Sequence, residues 1–212
     1  MVRTLFLASV LVLTGCSTAY YAAMEKVGVH KRDILVDRVE EARDAQVESQ
    51  QEFKDALDEL SQLIKFHGGD LQSRYEALSA QYEDSKKAAA EVSSRISKVE
   101  TVAFDLFAEW ETELSQYQSK QLRADSKKKL LETKRQFDAL LRVMRRAESK
   151  MPPVLRVLND NVLYLKHNLN AKAVGAIQGE FGMLQQDVNS LVSEMNKAIA
   201  ESNQFIATIN QQ

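Results

Sequence analysis

The sequence predicts an all-α protein, an elongated antiparallel coiled-coil bundle of three or four long helices. Three observations carry that expectation. Residues 71–117 hold an apolar stripe at alternating steps of four and three. The 212 residues include only two prolines and seven glycines, and Ala, Leu, Gln, Glu, Lys, Ser and Asp dominate, which is the bias of long helices. Beyond Cys16 no stretch alternates apolar and polar residues as a half-buried strand would.

Residues 1–15, MVRTLFLASVLVLTG, read as a secretory signal. Arg3 precedes an apolar run from Leu5 to Leu13, and the small residues Thr14 and Gly15 follow. That run is too short to cross a bilayer, which takes roughly twenty residues, and no later stretch approaches that length. The junction Leu13-Thr14-Gly15-Cys16 resembles the lipobox of bacterial lipoproteins. The resemblance implies a diacylglycerol on the Cys16 sulfur, cleavage before that residue and acylation of the new amino group. One acyl chain binds a membrane only marginally, whereas two or three on one cysteine make a stable tether. The other reading is a plain signal peptide followed by an incidental cysteine. Cys16 is the sole cysteine, and lipidation removes a free thiol that an oxidising compartment would make a liability. Ser17 occupies the position where an aspartate marks inner-membrane retention in enteric bacteria. Its presence favours the inner leaflet of the outer membrane, facing the periplasm.

Residues 16–30 form the expected lipid-anchored linker. Tyr20 and Tyr21 suit the headgroup level of a membrane, or are ordinary tyrosines of an early helix. The linker reaches at most ~50 Å. The helical domain is then 31–212.

A first helix is expected over 31–66, with apolar positions Val36, Val39, Phe53, Leu57, Leu60 and Ile64. His67-Gly68-Gly69 ends it, glycine suiting a left-handed C-cap. Asp70 caps the next helix, making an αα-hairpin. That second helix, 71–118, carries the stripe Leu71, Tyr75, Leu78, Tyr82, Ser85, Ala89, Val92, Ile96, Val99, Ala103, Leu106, Trp110, Glu113 and Tyr117. Only Ser85 and Glu113 interrupt it, over more than six heptads, which favours a coiled coil. Phe104 and Phe107 widen the stripe near Trp110.

The pattern fades between Gln118 and Lys129, and Asp125-Ser126 offers an N-cap for a third helix over 126–150. The alternative is one continuous helix of some eighty residues through this stretch. Leu130, Phe137, Leu140, Leu141, Met144 and Met151 form its stripe. Pro152-Pro153 sets a boundary, because proline cannot continue a helix but suits its first turn. A last helix is expected over 153–209. Gly175, Gly179 and Gly182 within it mark either a kink or a close helix approach.

Residues 31–60 carry ten acids and five bases, and residues 120–150 eleven bases and four acids. Opposed charge of that kind favours the first and third helices lying side by side. Across the whole chain 28 basic residues face 30 acidic ones, a near balance that argues against a nucleic-acid binder.

The chemistry-bearing residues are sparse. His30, His67 and His167 are isolated in sequence and HExxH is absent, so no metal site is expected. The glycines at 175–182 lack the spacing of a phosphate loop, and no strand precedes them. There is no GxSxG, and the cysteine is committed to lipid. No catalytic residue and no cofactor is expected, so an enzyme is disfavoured. The basic residues Lys127, Lys128, Lys129, Arg142, Arg145 and Arg146 suit an anionic surface such as lipopolysaccharide, phospholipid or cell-wall polymer. A charged face matched to the acidic first helix accounts for them better. Trp110 and its phenylalanines fit a core.

The stretch YYAAMEKVGVHKRDILVDRVEEARDAQ, with the rest of the mature chain, resembles an uncharacterised family of Gram-negative coiled-coil lipoproteins, a domain of unknown function. The resemblance implies localisation and fold and brings no site residues. The long heptads are also similar to the arms of chromosome-maintenance and DNA-repair ATPases, but no Walker motif accompanies them. The expectation is a membrane-anchored structural or interaction module. It would meet protein partners, or itself, through its helix faces. A periplasmic adaptor gripping hydrophobic clients is the alternative, and an enzyme or ATPase-like repair factor the weaker one.

Overall fold

Each helix starts where the sequence supplies an oxygen for its free backbone N–H groups. A computed structural model of the protein describes residues 30–65 and 70–211, and these form four helices and no strand. Helix α1 spans Lys31–Ile64, with the Asp33 carboxylate accepting from the His30 N–H at 3.2 Å. Helix α2 spans Leu71–Leu114, with Asp70 accepting from the Ser73 N–H and hydroxyl. Helix α3 spans Lys120–His167 under Ser119, whose Oγ accepts from the Leu122 N–H. Helix α4 spans Ala171–Asn210, and Asn170 Oδ1 accepts from the N–H groups of Lys172 and Ala173.

Each helix packs along its sequence neighbours, and α1 also lies along α4, giving a four-helix bundle with an up-down-up-down course. The antiparallel sense follows from the partners. Along α1 and α2, Lys31 meets Glu109, Glu41 meets Arg95 and Glu52 meets Gln81, so one number rises as the other falls. Phe107, Phe137 and Phe205 stack edge-on across α2, α3 and α4, with ring centres 5.6 and 6.1 Å apart. From Ile34 to Ile209 the buried apolar side chains form one continuous core.

The stripe expected on α2 is buried at Leu78, Ser85, Ala89, Val92, Ile96, Val99 and Ala103. Phe107 joins it, but Phe104 does not: it is 74% exposed. One residue past Ala103 turns a side chain about 100° around the helix, off the packed face.

Three boundaries differ from the sequence reading. The break expected near 118–128 falls between Leu114 and Lys120, so α3 begins at 120 rather than 126. Ser126 is no cap; its Oγ accepts from Trp110 Nε1 at 2.8 Å. Second, Pro152 and Pro153 lie inside α3, which has no boundary there. Packing overrides the local cost of proline: Ala147, Met151, Val154 and Leu158 keep one buried stripe across the pair, while Pro152 is exposed. Ending the helix there would uncover that stripe. Third, the real turn is Asn168-Leu169-Asn170, where Asn168 Nδ2 donates to the Tyr164 carbonyl at 2.9 Å. The His67-Gly68-Gly69 cap lies outside the described residues.

The core carries a polar defect on α1. Gln46 and Ser49 are fully buried on α1, and neither the Gln46 amide atoms nor the Ser49 hydroxyl have a partner. A buried polar group without a hydrogen bond costs about 1–3 kcal/mol. Gln46→Met, nearly equal in volume, is expected to raise the free energy of unfolding by about 1–2 kcal/mol, read as a higher urea midpoint. A lower midpoint would mean that water satisfies the amide in solution.

Candidate functional site

The end of the bundle where α1 begins is the most distinctive surface of the molecule. There Lys31 pairs with Glu109 at 2.8 Å. His30, Leu106, Trp110, Thr133 and Ile209 share a recess of about 320 Å³. The start of α1, the end of α4 and residues 106–113 of α2 are therefore level. Helix α3 starts thirteen residues before Thr133, so it runs on the order of 15–20 Å past that level. The α2–α3 hairpin thus projects beyond the other two helices. From Glu111 to Lys129 every residue is exposed except Leu114 and Ser126, which are half-buried.

The root of the projection is fastened by the Trp110–Ser126 hydrogen bond and by Lys134, which pairs with Glu111 and lies over the Phe107 ring. Its tip is basic. Lys120, Arg123, Lys127, Lys128 and Lys129 face Asp125 as the single acid between 115 and 131. None of the five has a carboxylate within ion-pair distance among the described residues. Tyr117 and Leu122 stand among them, 40% and 57% exposed.

The basic run read from the sequence is therefore divided. Arg145 pairs with Glu100 of α2 and Glu148, and Arg146 pairs with Glu194 of α4 at 3.1 Å. The sequence reading set this face against α1, but α1 and α3 lie across the diagonal of the bundle. Short connections make consecutive helices neighbours, and closing the bundle sets α1 against α4. Glu194 is almost fully covered. The hydrogen bond from Lys197, with Arg146 and Lys150 nearby, holds its carboxyl below the ordinary carboxylate range.

Toward the opposite end Leu163 and Tyr164 of α3, Leu169 of the turn and Met183 of α4 are each exposed. Gly175, Gly179 and Gly182 are exposed on α4, and a methyl group built at any of them meets nothing within 4 Å. They do not interrupt the helix, and no other described residue packs closely against them.

Of the residues singled out in the sequence, Leu13, Thr14, Gly15 and Cys16 lie outside the described residues, as does His67. His30 precedes α1 and His167 ends α3, at opposite ends of the bundle. Among the described residues no group of three His, Cys, Asp or Glu is placed to hold a metal, and no helix is long and apolar enough to cross a membrane. The projecting hairpin was not foreseen; its signal was the basic run inside a stretch where the apolar pattern fades.

A family model described as "Protein of unknown function (DUF2959)" matches residues 20–209. The chain belongs to that family. The match takes in Tyr20 and Tyr21 and the four helices as far as residue 209. No curated protein and no solved structure matches the chain.

Proposed function

We propose that the protein is a lipid-anchored, non-catalytic module of the cell envelope, facing the periplasm from the outer membrane, that acts as a structural spacer or docks protein partners through its helix faces. The observation that carries this is the Leu13-Thr14-Gly15-Cys16 junction, placed fourteen residues before a rigid helical body. Lipid on Cys16 fixes where the body works, and helices of 34 to 48 residues hold surfaces at set distances from the membrane.

The test is radiolabelled palmitate incorporation with fractionation of membranes washed at high salt, which strips electrostatic contacts and leaves lipid anchors in place, wild type beside Cys16→Ser. Label and outer-membrane recovery are expected to disappear together in the variant. A wild type without label, or a variant still recovered with the outer membrane, would overturn the reading. The exposed Leu163, Tyr164, Leu169 and Met183 favour a second reading, an adaptor or chaperone-like protein that holds hydrophobic clients. Binding of an environment-sensitive dye to the purified protein, lost in Leu163→Ser/Met183→Ser, would support it.

A further inference from the structure

We infer that the basic α2–α3 hairpin is a membrane-contact foot, which lies against the anionic lipid headgroups of the membrane that carries the anchor. The inference rests on the lipid anchor proposed above, and two lengths decide it. From Cys16 the chain reaches His30 in fourteen residues, a span of at most ~50 Å even fully stretched. Helix α4 alone has 40 residues, or about 60 Å. A bundle standing with its α3–α4 turn on the membrane would hold His30 some 55–60 Å away, beyond the tether. With the other end down, His30 lies close to the bilayer, and the hairpin, which projects 15–20 Å past that level, reaches it first.

The chemistry of the tip fits that surface. Lys120, Arg123, Lys127, Lys128 and Lys129 are exposed, lack carboxylate partners among the described residues, and outnumber Asp125 to give a local charge of +4. Farther along α3, by contrast, Lys134, Arg145 and Arg146 each pair with a carboxylate of this chain. Tyr117 and Leu122 add an aromatic ring with a polar tip and an aliphatic side chain at the same level, the pairing that suits the interface between headgroups and acyl chains. The first turn of α3 also carries Lys120 and Arg123 where the helix dipole disfavours cations, a local cost that an anionic surface would offset. The Trp110–Ser126 bond holds the foot rigidly to the bundle, so contact there orients the whole body upright.

The test uses the full chain with Cys16→Ser, so that no lipid binds in its place, and flotation with vesicles of phosphatidylcholine alone or with 30% phosphatidylglycerol (a probe choice of roughly physiological anionic content). Binding to the anionic vesicles only is expected, weakened at high salt. Each basic residue near such a surface adds roughly a fivefold factor. Lys127→Gln/Lys128→Gln/Lys129→Gln should therefore lose between about tenfold and a hundredfold in partitioning. Lys86→Gln/Lys87→Gln, which removes two exposed lysines already paired with Glu83 and Asp84, should bind as the parent does. Circular dichroism of all three proteins should coincide. Absence of binding to anionic vesicles, equal binding to both compositions, or equal loss in the two lysine variants would overturn the foot. Failure of palmitate labelling with vesicle binding intact would instead overturn the anchor alone.

Discussion

Phe137→Ala is expected to lower the free energy of unfolding by about 3–5 kcal/mol, the usual cost of removing a large buried aromatic side chain. Phe137 is 6% exposed and is the middle ring of the trio that ties α3 to Phe107 of α2 and Phe205 of α4. Edge-to-face pairs of this kind add about 0.5–1.5 kcal/mol each beyond the burial of area, and one truncation breaks both. The hole cannot close easily. The same helices are held at fixed separation by Leu130 below and Leu140 and Met144 above, all with 2% exposure or less. Domains of this kind are stable by only about 5–15 kcal/mol, so the loss is a large fraction of the total. Chemical denaturation of Phe137→Ala beside Phe104→Ala makes the comparison sharp. Phe104 is 74% exposed, and its truncation should change stability by no more than about 0.5 kcal/mol. Equal costs at the two positions would contradict the packing of the α2–α3 interface.

That pair also marks how far the sequence reading reached. Steps of four and three identified the buried side of α2 because burial there repeats with the helix, so Leu78, Val92, Ile96, Val99 and Ala103 were legible from spacing alone. Phe104 and Phe107 were alike as residue types, and only the phase of the stripe separates them. The fading of the pattern after Gln118 located the second turn to within a few residues. Its cap, Ser119, was overlooked because Asp125-Ser126 offered the same hydroxyl and carboxylate chemistry nearer the returning stripe.

The Pro152-Pro153 boundary failed for a different reason. A proline reports a local preference, whereas Met151 and Val154 lie on the same buried face, and keeping both covered outweighs the lost hydrogen bonds. The turn at Asn168-Leu169-Asn170 had its own signal: two asparagines, the second a strong N-cap, after Lys166 and His167 in a last turn that suits cations. Charge was legible as quantity but not as pairing. The totals on α1 and α3 are real, yet which helices are neighbours is set by connection length and bundle closure. The projecting hairpin depends on where four helix ends fall relative to one another. No local pattern encodes that register, so Lys127 to Lys129 were visible as a basic run but not as a tip.

Gly175→Ala, Gly179→Ala and Gly182→Ala, made together, are expected to stabilise the protein by about 2–3 kcal/mol. Glycine inside a helix is worse than alanine by about 0.8–1.0 kcal/mol, chiefly because the unfolded chain loses more freedom on ordering. The gain is realised only where the folded chain accepts a methyl group, and each of these positions offers open space and lies within the continuous helix α4. The sites are four and three residues apart, about one helical turn, and the sum is expected because an added methyl group at each meets no described side chain that could couple them. For a chain of this size the melting temperature should rise by roughly 4–10 °C, with helical content unchanged by circular dichroism. The sequence left two roles for these glycines, a kink or a close approach. The helix shows no interruption and no close neighbour among the described residues there, so stability is the quantity that separates what remains. A fall in melting temperature would mean that the α4 face is covered in solution. If the wild type then melted higher with rising protein concentration while the variant did not, the cover would be a second copy of the chain.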